Sequence, residues 1–241
     1  YEESRTPRPP MKKYVFSDLH VTLSRLPLCL DILRWIHDKA LKDHAEVIFA
    51  GDFFDKVFCT GAISVELLNG LTTFFSTSWK VPLTLLVGNH DMLKLESGTN
   101  GLFVFSKLHD TIQVINTPQV RDHALYMPYE HNVEVFKETI NTFRPRFKKD
   151  IRIIIGHFDL IGARLNSHVV SDRGLQKTFF PTDIPVITGH YHTPQSYGPV
   201  TYIGSPYQTS LSEAGDQKRM LCFSDTWDRL PDIPMDFGKK Y

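Results

Sequence analysis

Val47-Ile48-Phe49-Ala50 runs without a polar residue into Gly51-Asp52-Phe53-Phe54-Asp55. A short apolar run stopped by glycine suits a strand buried on both faces. Asp52 then stands just past the strand's carboxyl end, where α/β sheets place their ligands. The same arrangement recurs on either side. Tyr14-Val15-Phe16 leads into Ser17-Asp18-Leu19-His20, and Leu83-Thr84-Leu85-Leu86-Val87 into Gly88-Asn89-His90-Asp91. Residues 151–155 lead into Gly156-His157, and Pro185-Val186-Ile187-Thr188 into Gly189-His190-Tyr191-His192. Glycine precedes the polar group in all but the Asp18 case, allowing tight turns and close backbone approach.

Each piece alone has an ordinary explanation. Asp-x-His is usually surface or capping chemistry, Gly-Asp is a common turn, and Asn-His-Asp could cap a helix. Gly-His-x-His says more, because strand alternation puts both rings on one side. Together, the five strand ends could present Asp18, His20, Asp52, Asn89, His157, His190 and His192 to one cleft. These are carboxylate, amide and imidazole donors with no thiolate, which excludes a structural zinc finger. Mixed N/O donors favour Mn²⁺, Fe or Zn²⁺. The set is too large for one tetrahedral ion but suits two ions sharing a carboxylate, about 3.5–4 Å apart.

Helical periodicity separates the strands. Residues 28–42 repeat apolar groups at Cys29, Ile32, Leu33, Ile36 and Ala40; 63–75 and 133–143 are further helices, the last ended by Pro145. Residues 112–115, 200–203 and 220–223 are further strands. The first half reads β-α-β-α-β, an α/β layering. The second half is richer in strands, so a mixed sheet or two stacked sheets is expected, and residues 95–100 read as a surface loop.

With 41% hydrophobic and 22% charged residues among 241, the composition is that of a soluble globular chain. No apolar run is long enough to span a bilayer, and residues 1–10 lack the apolar stretch of a signal peptide. They are expected to be a flexible leader, and the compartment cytoplasmic. Cys29, Cys59 and Cys222 are odd in number and widely spaced, which suggests reduced, buried thiols. Lys plus Arg equals Asp plus Glu at 27 each, so no global basic excess marks a nucleic-acid binder.

The five motifs, in this order from Asp18 to His192, resemble the calcineurin-like metallophosphoesterase family. The resemblance implies a four-layer α-β-β-α fold, with two mixed β-sheets packed as a sandwich flanked by helices. It implies that Asp18, His20, Asp52 and His192 hold one ion. Asp52 would bridge to a second, completed by Asn89, His157 and His190. Protein Ser/Thr phosphatases of the family carry Arg after the second motif and Glu after Asn-His. Lys56 and Asp91 stand there instead. Tyr202-Ile203-Gly204-Ser205-Pro206, followed by Glu213 and Lys218, is similar to SbcD-type DNA repair nucleases, as are Gly51-Asp52-Phe53-Phe54-Asp55 and Met127-Pro128-Tyr129. The reading is therefore a Mn²⁺-dependent DNA exo/endonuclease acting through a metal-bridging hydroxide, with Mg²⁺, Fe or Zn²⁺ as other metals. A small-molecule phosphodiesterase or phosphatase of the same superfamily is the alternative. An inert scaffold is a third class, one that would be expected to lose ligands. DNA is the expected substrate, with an SbcC-like ATPase partner, a homodimer and no membrane contact. Residues 11–241 would form one nuclease domain. Too few residues follow His192 for both the capping domain and the partner-binding tail of full SbcD-type nucleases, so the expectation is either a compact version with the cap absent or vestigial, or a truncated catalytic core.

His90, beside Asn89, is the candidate for protonating the leaving oxygen. Asp91 or Asp55 could orient it, with Asp91 better suited to capping a loop. His37, His44, His109, His123 and His168 have no ligand-like setting, and His131 could line the cleft. Arg144, Arg146, Lys148, Lys149 and Arg152 could meet a phosphate backbone, but a solvated helix exit is the plainer reading. Phe53, Phe54, Phe58 and Tyr191 flank proposed ligands and could stack on bases; for the phenylalanines core packing is favoured.

Overall fold

The computed structural model describes residues 10–57, 62–94, 98–165 and 169–238. The expected leader, Phe58, Cys59, His168 and part of the 95–100 loop lie outside the described residues. The strands are β1 (Lys12–Phe16), β2 (Ala45–Ala50), β3 (Leu83–Leu86), β4 (Ile112–Ile115), β5 (Gln119–Arg121) and β6 (Ala124–Met127). They continue with β7 (Ile153–His157), β8 (Val186–Gly189), β9 (Gln195–Tyr197), β10 (Val200–Tyr202), β11 (Lys218–Phe223) and β12 (Arg229–Met235). The α-helices lying wholly among the described residues are α1 (Leu26–Asp43), α2 (Val65–Thr77) and α3 (Val133–Phe143).

Two six-stranded mixed sheets form, in the orders β12-β11-β1-β2-β3-β4 and β5-β6-β7-β8-β10-β9. Each keeps a parallel centre, as in the Tyr14–Val47 and Ile155–Ile187 pairings. The second sheet is antiparallel at both edges, the first only on its β12-β11-β1 side, since β4 runs parallel to β3. Alternation along the strands explains the continuous apolar runs. Tyr14, Phe16, Val47 and Phe49 pack outward with Ile32, Leu33 and Ile36 of α1 and Leu71 and Phe75 of α2. Val15, Ile48 and Ala50 face inward against Ile153, Ile155 and Ile187 of the second sheet. On the far side, Ile154 and Val186 pack with Phe136 and Ile140 of α3. Three apolar layers therefore separate four layers of structure, the expected α-β-β-α sandwich.

The helices begin where the local chemistry directs. Ser64 accepts the Leu67 N–H at the start of α2, and Asn132 accepts those of Glu134 and Val135 at the start of α3, satisfying donors that have no intrahelical partner. α1 begins with proline in its first turn and closes on His44 in the left-handed region at φ 51°. The strand read at residues 151–155 lies instead at Ile153–His157, so His157 belongs to the strand itself. β5, β6, β9 and β12 add to the strands read from sequence.

Candidate metal centre

The carboxyl ends of β1, β2, β3, β7 and β8 meet along one rim of the sandwich. Asp18, His20, Asp52 and Asn89 come from the first sheet, and His157, His190 and His192 from the second. All of the proposed ligands are brought together. Ligand atoms of Asp18, His20 and His192 lie within 4.8 Å of one another, as do those of Asp52, His157 and His190. A third such group joins His20, Asp52 and His90. Oδ2 of Asp52 lies 3.2 Å from Nε2 of His157 and 3.9 Å from Nε2 of His20, between the two foci. Oδ1 of Asn89 lies 3.2 Å from Nε2 of His157 and 3.0 Å from Nδ1 of His190.

The imidazoles are oriented from behind. Nδ1 of His157 donates to the Ala50 carbonyl at 2.8 Å. Nε2 of His190 faces Oδ1 of Asp159 at 2.9 Å, and Nδ1 of His192 faces Oε1 of Glu213 at 3.0 Å. Nδ1 of His20 stands 3.4 Å from Oδ1 of Asp55. With a proton held on that outer nitrogen, the inner nitrogen of each ring can offer a lone pair to a cation once the ring is neutral; with no cation there, Nε2 of His157 carries a proton towards Asp52. Inward lone pairs then face each other, as at the 2.9 Å gap between Nε2 of His20 and Nε2 of His192. Only a proton or a cation can occupy such a gap favourably, so the donor set fits metal ions.

Electrostatics follow from burial and proximity. Burial opposes the charge of Asp52, yet the His157 ring beside it holds the carboxyl well below its usual range. Burial likewise opposes the His157 imidazolium, but Asp52 outweighs it and lifts the ring to about 9. His20 is pushed down by burial, against the pull of Asp55. Asp91 is fully enclosed; burial and then the Asp52 charge push it up to about 7. Its carboxylate accepts the backbone N–H groups of Asp52, Phe54 and Gly88, so it caps the loops and does not orient His90. That role falls to the Asp55 carbonyl, which accepts from Nδ1 of His90.

The backbone is tightly wound here. Asp18 (φ 57°), His20 (φ 47°), Asp52 (φ 61°) and His190 (φ 94°) have left-handed or related positive-φ conformations, at a cost of about 1–2 kcal/mol each for a residue with a Cβ. Non-glycine strain of this kind gathers at functional sites. A Cβ at Gly51 would overlap the His157 ring, and one at Gly88 the Asp52 carboxylate. The glycines that precede these motifs thus let neighbouring site residues close in.

Other expectations divide. Phe53 and Phe54 are core residues, and Tyr191 is buried in the outer layer of the second sheet, its hydroxyl on Asp159. Cys29 and Cys222 are buried free thiols. His131 lines a hollow of about 300 Å³ together with Tyr129, Asp159 and His190. The basic cluster stands before β7, at the end of that strand opposite His157. There Arg146 pairs with Asp150 and Lys148 with Asp183, a solvated helix exit. Sequence reasoning missed Asp159, which lies past the end of β7, where strand alternation no longer says which way a side chain points. It also gave no site role to Tyr129, which stacks on His190 with ring centres 5.8 Å apart.

The Calcineurin-like phosphoesterase family matches residues 11–194. That is most of the chain, which belongs to this family and is a metal-dependent phosphoesterase. Exonuclease subunit 1 of Enterobacteria phage T4 is 26% identical over 161 residues, 64% of this chain and 45% of that protein. The chain thus spans about half the length of this relative. Pseudomonas putida nuclease MPE is 13% identical, over 94% of this chain and 75% of its own, with a TM-score of 0.40. The phosphoesterase Yfce from E. coli is 12% identical, over 94% of this chain and 100% of its own, with a TM-score of 0.38. Among the described residues no helix is long and apolar enough to cross a membrane.

Proposed function

We propose that this chain is a two-metal phosphodiesterase that cleaves DNA in the manner of SbcD-type nucleases, with residues 11–241 as its catalytic unit. Asp18, His20, Asp52 and His192 would hold one ion, and Asp52, Asn89, His157 and His190 the other. The observation that carries this reading is the placement of Oδ2 of Asp52 between two groups of ligand atoms. Bound ions, Mn²⁺ in preference to Mg²⁺, Fe or Zn²⁺, would supply Lewis-acid charge to the phosphate and activate water for in-line attack.

The chain's own residues set the geometry. His90 donates its backbone N–H to Oδ1 of Asp52 at 2.9 Å and is held at Nδ1 by the Asp55 carbonyl. Its Nε2 is then the atom left to hold or deliver a proton at the leaving oxygen. Tyr129, stacked on His190, limits the swing of that ring.

DNA as substrate is supported by the similarity to the phage T4 exonuclease subunit and by the Gly204-Ser205-Pro206 segment with Glu213 and Lys218. An SbcC-like ATPase partner and a homodimer belong to the same proposal. The small-molecule alternative draws on the zero net charge and on the distance of the basic cluster from the site. Purified protein with Mn²⁺ should degrade labelled double- or single-stranded DNA and also hydrolyse bis-p-nitrophenyl phosphate. Turnover of the small ester with DNA left intact would replace the nuclease by a small-molecule diesterase.

A further inference from the structure

We infer that Glu213 is a positioning residue for His192, and that the buried Lys218 ammonium holds the Glu213 carboxylate in place against that ring. The inference rests on His192 being a metal ligand, as proposed above. Both residues lie beyond residues 11–194, the span matched by the family.

Glu213 is 2% exposed and Lys218 5%. One carboxylate oxygen of Glu213, Oε1, faces Nδ1 of His192 at 3.0 Å, beside Oγ1 of Thr209 at 2.9 Å, whose hydroxyl donates to the same Oε1 and so leaves its oxygen to accept from the ring. The other, Oε2, accepts from Nζ of Lys218 at 2.6 Å, Oγ of Ser205 at 3.1 Å and the backbone N–H of Thr209 at 3.2 Å. Nζ of Lys218 also donates to the His192 carbonyl at 2.9 Å, which accepts the Ser205 N–H at 3.1 Å as well. His192 is therefore gripped at both its ring and its backbone by one network from the 205–218 segment.

A buried carboxylate is costly unless paired, and a buried ion pair is by itself a poor source of stability. What this pair accomplishes locally is a fixed tautomer. With the proton on Nδ1, the Nε2 lone pair faces the ions, and the adjacent negative charge makes it a stronger donor. Asp159 bears the same relation to His190, through Nε2 at 2.9 Å, and so serves as an internal comparison at the other focus.

The test uses the whole chain and calorimetric titration with Mn²⁺. Two binding events are expected in the natural protein. The double variant Glu213→Gln/Lys218→Met, which strands no buried cation, should weaken one event by about 10–100-fold and spare the other. Asp159→Asn should weaken the event that the double variant spares. A second measurement needs no variant: nitrogen NMR of the Zn²⁺-loaded natural protein should show the His192 proton on Nδ1. Loss of thermal stability with both affinities unchanged would reduce the pair to a structural staple. An equal fall in both affinities, or a proton on Nε2, would also overturn the inference. Absence of any metal binding by the natural protein would instead overturn the reading of the site itself, and this inference with it.

Discussion

Nε2 of His20 and Nε2 of His192 stand 2.9 Å apart, and each ring already presents its other nitrogen to a carboxylate, that of Asp55 or Glu213. Two bare lone pairs at that distance repel, so the pair has a built-in demand for positive charge. A divalent cation should therefore stabilise the fold strongly. At a free Mn²⁺ concentration of about 100 times the dissociation constant, the gain is about 2.7 kcal/mol. For a chain of this size that is on the order of 5–10 °C in Tm. Scanning calorimetry before and after chelation measures it. An unchanged Tm would count against metal at this pair.

Protons compete for the same atoms. Without metal, His157 titrates near 9 because Asp52 outweighs the effect of burial. A histidine raised above its ordinary 6.5 adds stability that is fully present below pH 6.5 and is lost as pH rises through about 9. The chelated protein should thus lose stability across that window, while Mn²⁺ affinity rises over it. Titration calorimetry in buffers of different ionisation enthalpy should show proton release on binding at pH 7. Proton-neutral binding would contradict the His157–Asp52 pairing.

His90→Ala should lower turnover by about 10²–10⁴-fold, the usual contribution of a positioned acid or base. The backbone N–H bond to Asp52 survives the substitution, so metal content should not change. Elemental analysis alongside kinetics separates the roles. Loss of an ion would make His90 a ligand, in line with its place in the group containing His20 and Asp52.

Gly51 combines φ +92° with the His157 ring against its Cα, whereas Gly215, at φ +84°, has nothing within 4 Å of where a Cβ would be. Gly51→Ala should cost on the order of 3 kcal/mol from strain and overlap together. Gly215→Ala should cost about 1 kcal/mol from conformation alone. Urea unfolding of the two variants compares them directly. Equal losses would mean that the contact with His157 is loose.

The candidate site was legible because its proposed ligands follow strands buried on both faces, where hydrophobic runs and polar stops are unmistakable. Val47–Ala50 before Asp52 is the clearest case. What stayed hidden lacks that contrast. β12 reads Arg-Leu-Pro-Asp-Ile-Pro-Met, and two prolines disguise a strand that is tolerated only because it lies at a sheet edge. β5 and β9 are three residues each, too short for periodicity to register. The positive φ values of Asp18, His20, Asp52 and His190 leave no mark in composition, since Asp and His, although enriched there among non-glycine residues, adopt other conformations far more often. The link from Glu213 to His192 joins segments whose relation depends on packing between β10 and β11.

Four of the proposed ligands belong to the first sheet and three to the second, and Asp18 accepts the backbone N–H of His190 across the seam at 3.0 Å. During synthesis, the amino-terminal half emerges with Asp18, His20, Asp52 and Asn89 but no imidazole from the opposing sheet. If these residues hold two ions as proposed, a complete cage could close only after residue 192 has left the ribosome and the sheets have docked. Loading would then be tied to maturation: a nascent or half-folded chain would hold an incomplete, catalytically silent pocket, and hydrolytic power would arrive together with the finished sandwich.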